Sequence, residues 1–191
     1  ASPEADQIVL TWCDDPATTQ AIQWRTDTSV DKMTIRYRSK ESDKQEFSEA
    51  PASQQLLSDK YIHNNPVVKH WEVNITGLKS DAEYNYLIYN LENGKESIIH
   101  TFRTAPVKKR PFSFIHLGDT HNDDIVEKVL KQAVEDAPDA AFLVHSGDHV
   151  NTGLFRNLWD KYLYSGRDIF PQLPFVPTLG NHDSQDGLPP T

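Results

Sequence analysis

Apolar and polar residues alternate along much of the first half of the chain, over residues 8–12, 21–26, 33–38, 71–75, 84–89 and 97–102. Successive side chains of an extended chain point to opposite faces, so this alternation predicts half-buried strands. Short strands separated by polar turns predict a sandwich of sheets. Asn93-Gly94 lies between the last two runs and predicts a tight hairpin, because both residue types tolerate the positive φ that such turns require. The same alternation puts Trp12, Trp24 and Trp71 on one face, which makes them sandwich core in preference to a carbohydrate-stacking platform. Residues 40–70 are less regular and read as exposed loops around one or two short strands. Nothing is spaced along the sequence to join their His63 and His70 in a site.

The pattern changes after residue 104. Prolines at 106 and 111 stop strand pairing and Lys108, Lys109 and Arg110 keep the stretch solvated, which predicts a linker over 105–111. Beyond it, apolar runs at 112–117, 141–145 and 175–179 predict three buried strands. The connections between them carry a helical period. Ile125, Val126, Val129, Leu130, Ala133 and Val134 form one stripe within 123–137, and Leu154, Phe155, Leu158, Trp159 and Tyr162 form another within 152–164. Strand, helix and strand in succession predict a right-handed βαβ unit with parallel strands. The expected organisation is an all-β sandwich over 1–104, the linker, and an α/β region over 112–191.

Composition narrows the partners. The 191 residues carry a formal charge of −9 with no basic stripe, which argues against a nucleic-acid backbone as ligand. No apolar run approaches the roughly 20 residues that span a bilayer. Cys13 is the single cysteine, so no internal disulfide can form. The opening Ala1-Ser2-Pro3-Glu4 is the kind of end left by signal cleavage and gives a secreted or periplasmic expectation.

Candidate chemistry gathers where the three later runs end. These ends read Gly118-Asp119-Thr120-His121, Gly147-Asp148-His149 and Gly180-Asn181-His182-Asp183. Open α/β sheets place ligands beyond the carboxyl ends of their strands, so three such ends point to one shared site. Asp119 and His121, two apart, project to one side of an extended chain and can bind one cation. Asp148 has two oxygens with which to bridge two metals. Asn181 offers a neutral amide oxygen, and His182 is then free for proton chemistry. Two metals roughly 3.5 to 4 Å apart polarise a phosphoryl oxygen and supply a hydroxide at neutral pH. A Gly-Asp after a strand is more often a plain turn with a capping Asp; three in order, at helix-sized intervals, are not three coincidences.

These motifs resemble those of the calcineurin-like metallophosphoesterase superfamily, whose ordered pattern is G-D-x-H or G-D-x-G, then G-D, then G-N-H-[DE]. The resemblance implies that Asp119 and His121 bind a first metal, Asp148 bridges, Asn181 binds a second, His182 faces the phosphate, and Asp183 orients His182. The later V-x-x-H and G-H-x-H motifs of that family do not occur in these residues, so the resemblance covers the first half of such a catalytic domain. Leu78-Lys-Ser-Asp-Ala-Glu-Tyr84 looks like the corner of immunoglobulin-like and fibronectin type III-like domains, whose tyrosine hydroxyl bonds back to the chain. A sandwich of that kind ahead of a metallophosphoesterase domain resembles the purple acid phosphatases. Their G-D-x-x-Y is here Gly147-Asp148-His149-Val150-Asn151, with Asn151 in place of the tyrosine that binds ferric iron. The resemblance therefore implies a colourless pair of ions, divalent or mixed-valence, drawn from Mn, Zn and Fe.

The expected function is hydrolysis of a phosphoester, on a phosphorylated small molecule or another phosphoester substrate, by a metal-bound hydroxide, with His182 and Asp183 assisting. The alternative is a non-catalytic binding or structural protein with an inert half-site. His116 and His145 read as strand residues or as partners of ligands. For His149 three roles stand open: contact with substrate, orientation of a ligand, or capping of the turn.

Overall fold

The computed structural model describes residues 1–42, 46–64, 66–121 and 123–184. They form two units, Ala1–Leu57 with Val67–Pro111, and Ser58–Pro66 with Phe112–Thr191. The first unit holds β1 (Asp6–Thr11), β2 (Gln20–Thr26), β3 (Met33–Ser39), β4 (Ser48–Pro51), β5 (Ser53–Leu57), β6 (Val68–Ile75), β7 (Glu83–Asn90) and β8 (His100–Arg103). They make two four-stranded antiparallel sheets, ordered β1-β2-β6-β5 and β4-β3-β7-β8. Inward-facing residues of both sheets, among them Ile22, Trp24, Ile35, Trp71, Tyr86, Ile88 and Phe102, form one core.

Alternation explains this core strand by strand. Along β6, Trp71, Val73 and Ile75 are buried while Glu72 and Asn74 are exposed. Trp24 and Trp71 sit opposite each other in the β2–β6 register, and their rings stack at 6.2 Å. Trp12 differs from expectation: β1 ends at Thr11, so Trp12 leaves the alternation and is only half-buried. The Tyr84 hydroxyl accepts the Lys79 N–H at 2.8 Å, the tyrosine contact expected at the corner. The turn before β8 is wider than a two-residue hairpin. Only Gly94 of the Asn-Gly pair has positive φ, at 72°, and Asn90 N–H donates to Lys95 O at 2.9 Å to close the longer loop. Part of the expected loop over 41–46 lies outside the described residues.

The second unit is built on β9 (Ser113–Leu117), β10 (Ala140–His145) and β11 (Phe175–Pro177), parallel and ordered β11-β10-β9. Helix α1 (Val126–Asp136) joins β9 to β10, α2 (Arg156–Ser165) follows β10, and the short α3 (Asn181–Ser184) follows β11. Both longer helices start later than their apolar stripes. Ile125 precedes α1 and is 56% exposed, while Val126 and Leu130 carry the buried face. Residues 152–155 are held out of α2 because Gly153 N–H donates to His182 O at 2.9 Å. The strands are not all buried as expected, since Phe112 and Phe114 beside and on β9 are exposed and pack on Phe142.

Residues 58–66, which lie between β5 and β6 in sequence, are anchored within the second unit. His63 N–H donates to Leu154 O at 2.7 Å, Arg156 N–H donates to His63 O at 3.1 Å, and the His63 ring stacks on Phe155 at 5.1 Å.

Candidate metal centre

Each parallel strand hands the chain to one loop of the site: β9 to Asp119 and His121, β10 to Asp148, and β11 to Asn181 and His182. Asp119, His121 and Asp148 have φ of 51, 46 and 56°. That left-handed backbone costs a non-glycine residue on the order of 1 kcal/mol or more, and it persists only where neighbours hold it. Here Asp119 N–H donates to Gly147 O at 3.0 Å and His121 N–H to Asp148 O at 2.9 Å, which zips the first loop to the second. His182 N–H donates to Asp148 Oδ1 at 2.9 Å and brings in the third.

Two glycines allow this approach. A Cβ on Gly147, whose φ is 109°, would lie 2.7 Å from Gly180 Cα, and a Cβ on Gly180 would lie 2.0 Å from Asp148 Oδ1. Both clashes are with atoms that cannot yield without breaking the loop contacts.

The result is a convergent donor set. His121, Asp148 and His182 each offer a ligand atom within 4.8 Å of the others, and the two imidazoles meet edge to face at 4.7 Å. Asp119 Oδ1 lies 3.9 Å from His121 Nε2, with its side chain 80% exposed. Asn181 is exposed at the first position of α3. A carboxylate and two imidazoles, with a second carboxylate alongside, suit a transition-metal ion with mixed nitrogen and oxygen ligands. His182 Nδ1 lies 2.9 Å from the Asn151 carbonyl, which can only accept, so Nδ1 carries a proton and Nε2 is the atom that can address a metal or a phosphate.

Asp183 differs from the role that the resemblance gave it. Its carboxylate is turned inward, with its side chain 0% exposed, and accepts from His149 Nδ1 at 2.8 Å, Gly180 N–H at 3.1 Å and Val150 N–H at 3.2 Å. Burial acts to raise its pKa, but the His149 hydrogen bond and then the Gly180 and Val150 amides outweigh it and hold the carboxyl well below the usual range. The His182 ring meets the Asn151 carbonyl through Nδ1.

His149 is buried at 2% exposure, stacked 3.9 Å from His145 and enclosed by Tyr162, Trp159 and Phe175. His145 is also buried. Its Nδ1 accepts Gly147 N–H at 3.3 Å, so Nε2 carries the proton and donates to Thr120 Oγ1 at 3.1 Å. Burial, then the neighbouring His149, push His145 down to about 4 and keep it neutral. His149 Nε2 and the Tyr162 hydroxyl are buried without a partner among the described residues. No local spacing revealed the His149–Asp183 pair, because its members are far apart in sequence. The available signal was that each adjoins a candidate site residue.

Comparison with known proteins follows the same division. Residues 112–190 match the family model described as calcineurin-like phosphoesterase. Residues 5–104, more than half of the chain, match the one described as purple acid phosphatase, N-terminal domain. The chain belongs to the calcineurin-like metallophosphoesterase superfamily, with a purple acid phosphatase N-terminal domain ahead of its phosphoesterase region. A solved purple acid phosphatase, PPD1 from yellow lupin (Lupinus luteus) seeds, shares the fold with a TM-score of 0.78 at 17% identity. The match covers 94% of this chain and 36% of that one, so these residues span about a third of the lupin protein's length. A redesigned β-sandwich protein matches 55% of this chain and 96% of its own, at 14% identity and a TM-score of only 0.36. No curated protein sequence matches significantly. The family implies a dinuclear metal site, and no described helix is long and apolar enough to cross a membrane.

Proposed function

We propose that the protein hydrolyses a phosphoester, of a phosphorylated small molecule or another phosphoester substrate, using two metal ions of the Mn, Zn and Fe group. The observation that carries this reading is that the ends of three parallel strands bring the candidate metal donors His121 and Asp148 within 4.8 Å of His182, the group that would face the phosphate. Asp119 and His121 would hold one ion, Asp148 would bridge, and Asn181 would reach the second. When bound, such a pair supplies Lewis acidity toward a phosphoryl oxygen and lowers the pKa of a water.

The protein's own groups do the rest. Asn151 O accepts the His182 Nδ1–H and so holds the ring with Nε2 toward the phosphate; in the doubly protonated imidazolium, Nε2–H would give its proton to the departing oxygen and leave the neutral Nδ1–H ring. Asp183 and the backbone amides around it keep the loop carrying Asn181 and His182 against Asp148. The expected secreted or periplasmic location belongs to the same reading and is checked by cell fractionation.

The test is a pair of variants of the full-length protein, assayed for metal content and turnover of an aryl phosphate. Asp148→Asn should lose both, and normal turnover in that variant would sink the proposal. His182→Ala should lower turnover about 100-fold or more with its metal retained. Loss of metal there would instead make His182 a ligand.

A further inference from the structure

We infer that His149 is a positioning residue of the metal site, acting through Asp183 on the loop that carries Asn181 and His182. The inference rests on the metal-site reading above and adds to it a residue outside the ligand set. His149 follows Asp148 directly, yet its ring is buried and Nδ1 lies 2.8 Å from Asp183 Oδ2. That oxygen also accepts the Gly180 N–H, from the residue preceding Asn181, at 3.1 Å. The other oxygen accepts the Val150 N–H, two residues past Asp148, at 3.2 Å. One carboxylate therefore grips both loops. Asp148 Oδ1 answers by accepting the His182 N–H at 2.9 Å, so the two loops are tied in both directions.

His149 is the only side-chain donor to Asp183 among the described residues. Three donors around one acceptor fix the proton on His149 Nδ1. The ring itself is held by the stack on His145 at 3.9 Å, and its backbone carbonyl accepts from Thr120 Oγ1 at 3.3 Å, which lies between Asp119 and His121. All three loops thus meet at this histidine. Groups that hydrogen-bond behind metal-binding loops fix the donor geometry, and their loss typically weakens metal binding about 10- to 100-fold.

The arrangement separates the two ring nitrogens. Nδ1 does the work, whereas Nε2 has no partner among the described residues. Asparagine can place an amide nitrogen near the Nδ1 position, while glutamine places one nearer to Nε2. The experiment titrates Mn(II) into the full-length protein and its His149→Ala, His149→Asn and His149→Gln variants by electron paramagnetic resonance, with thermal melts to verify folding. His149→Ala should bind Mn(II) about 10- to 100-fold more weakly. His149→Asn should return to within a few-fold of wild type, and His149→Gln should stay close to the alanine variant. Where the alanine variant does not fold, the asparagine–glutamine contrast decides alone. Equal affinity in asparagine and glutamine variants, or wild-type affinity in all three, overturns the inference. A wild-type protein that binds Mn(II) and hydrolyses no phosphoester overturns only the proposed activity, and one that binds no Mn(II) overturns the metal-site reading beneath both.

Discussion

The sandwich and the phosphoesterase unit use burial for different ends. In the sandwich the largest fully buried side chains are aromatic: Trp24 and Trp71 are each 1% exposed and stack across paired strands, and Tyr86 and Phe102 join them. In the second unit Phe112 and Phe114 are 67% and 51% exposed, while His145, His149 and Asp183 are sequestered. Burial in the first region maximises apolar area removed from water. In the second it keeps a polar network dry, where its hydrogen bonds are stronger and its geometry is fixed. Left-handed non-glycine backbone occurs in both units, at Gln7 and Asp81 in the sandwich, but in the second unit Asp119, His121 and Asp148 gather it around the candidate metal centre.

That contrast makes graded predictions. Trp71→Ala should have the largest effect, removing a stacked core ring and the hydrogen bond from its Nε1 to Thr26 Oγ1, at about 4 kcal/mol in chemical denaturation of the sandwich. A loss under about 1 kcal/mol would mean that the core is looser than its burial implies. Acid should act next, and on the second unit. His145 is held near 4 against an ordinary 6.5, so the unfolded chain binds the extra proton between those values. Stability should therefore be unaffected by this group above pH 6.5 and fall by on the order of 3 kcal/mol as pH drops to about 4, a slope that His145→Gln should flatten. Asp183, held below its ordinary range, adds to acid lability at still lower pH. Gly180→Ala forces a Cβ to within 2.0 Å of Asp148 Oδ1 and should cost about 2 kcal/mol, together with Mn(II) affinity. Phe114→Ser should change stability by no more than about 0.5 kcal/mol, since half of that ring is already in water.

Period-two alternation made most sandwich strands legible, and the strand–helix–strand rhythm gave the parallel sheet. Where local pattern met tertiary competition, the pattern lost. Residues 152–155 match a helical stripe, but Gly153 N–H is committed to His182 O, and α2 waits until Arg156. Asn93-Gly94 favours a tight turn, yet the Asn90–Lys95 closure leaves only Gly94 with positive φ. The pairing of His63 with residues 154–156 depends on positions far apart in sequence, and no local signal encodes it.

The candidate donors were legible because each follows a glycine at the end of an apolar run. Their roles were less so. Asp183 adjoins His182 in sequence, but α3 turns its carboxylate inward to His149, and the short range of hydrogen bonds makes that direction decisive. A buried His–Asp contact between distant positions has no periodicity to betray it.

The most direct test of the metal centre is anomalous diffraction from crystals of the protein grown with Mn(II) or Zn(II). The account predicts a peak between the loops after β9, β10 and β11, about 2.0 to 2.2 Å from Asp148 and His121 donor atoms. A metal bound elsewhere, with none at Asp148, would contradict it.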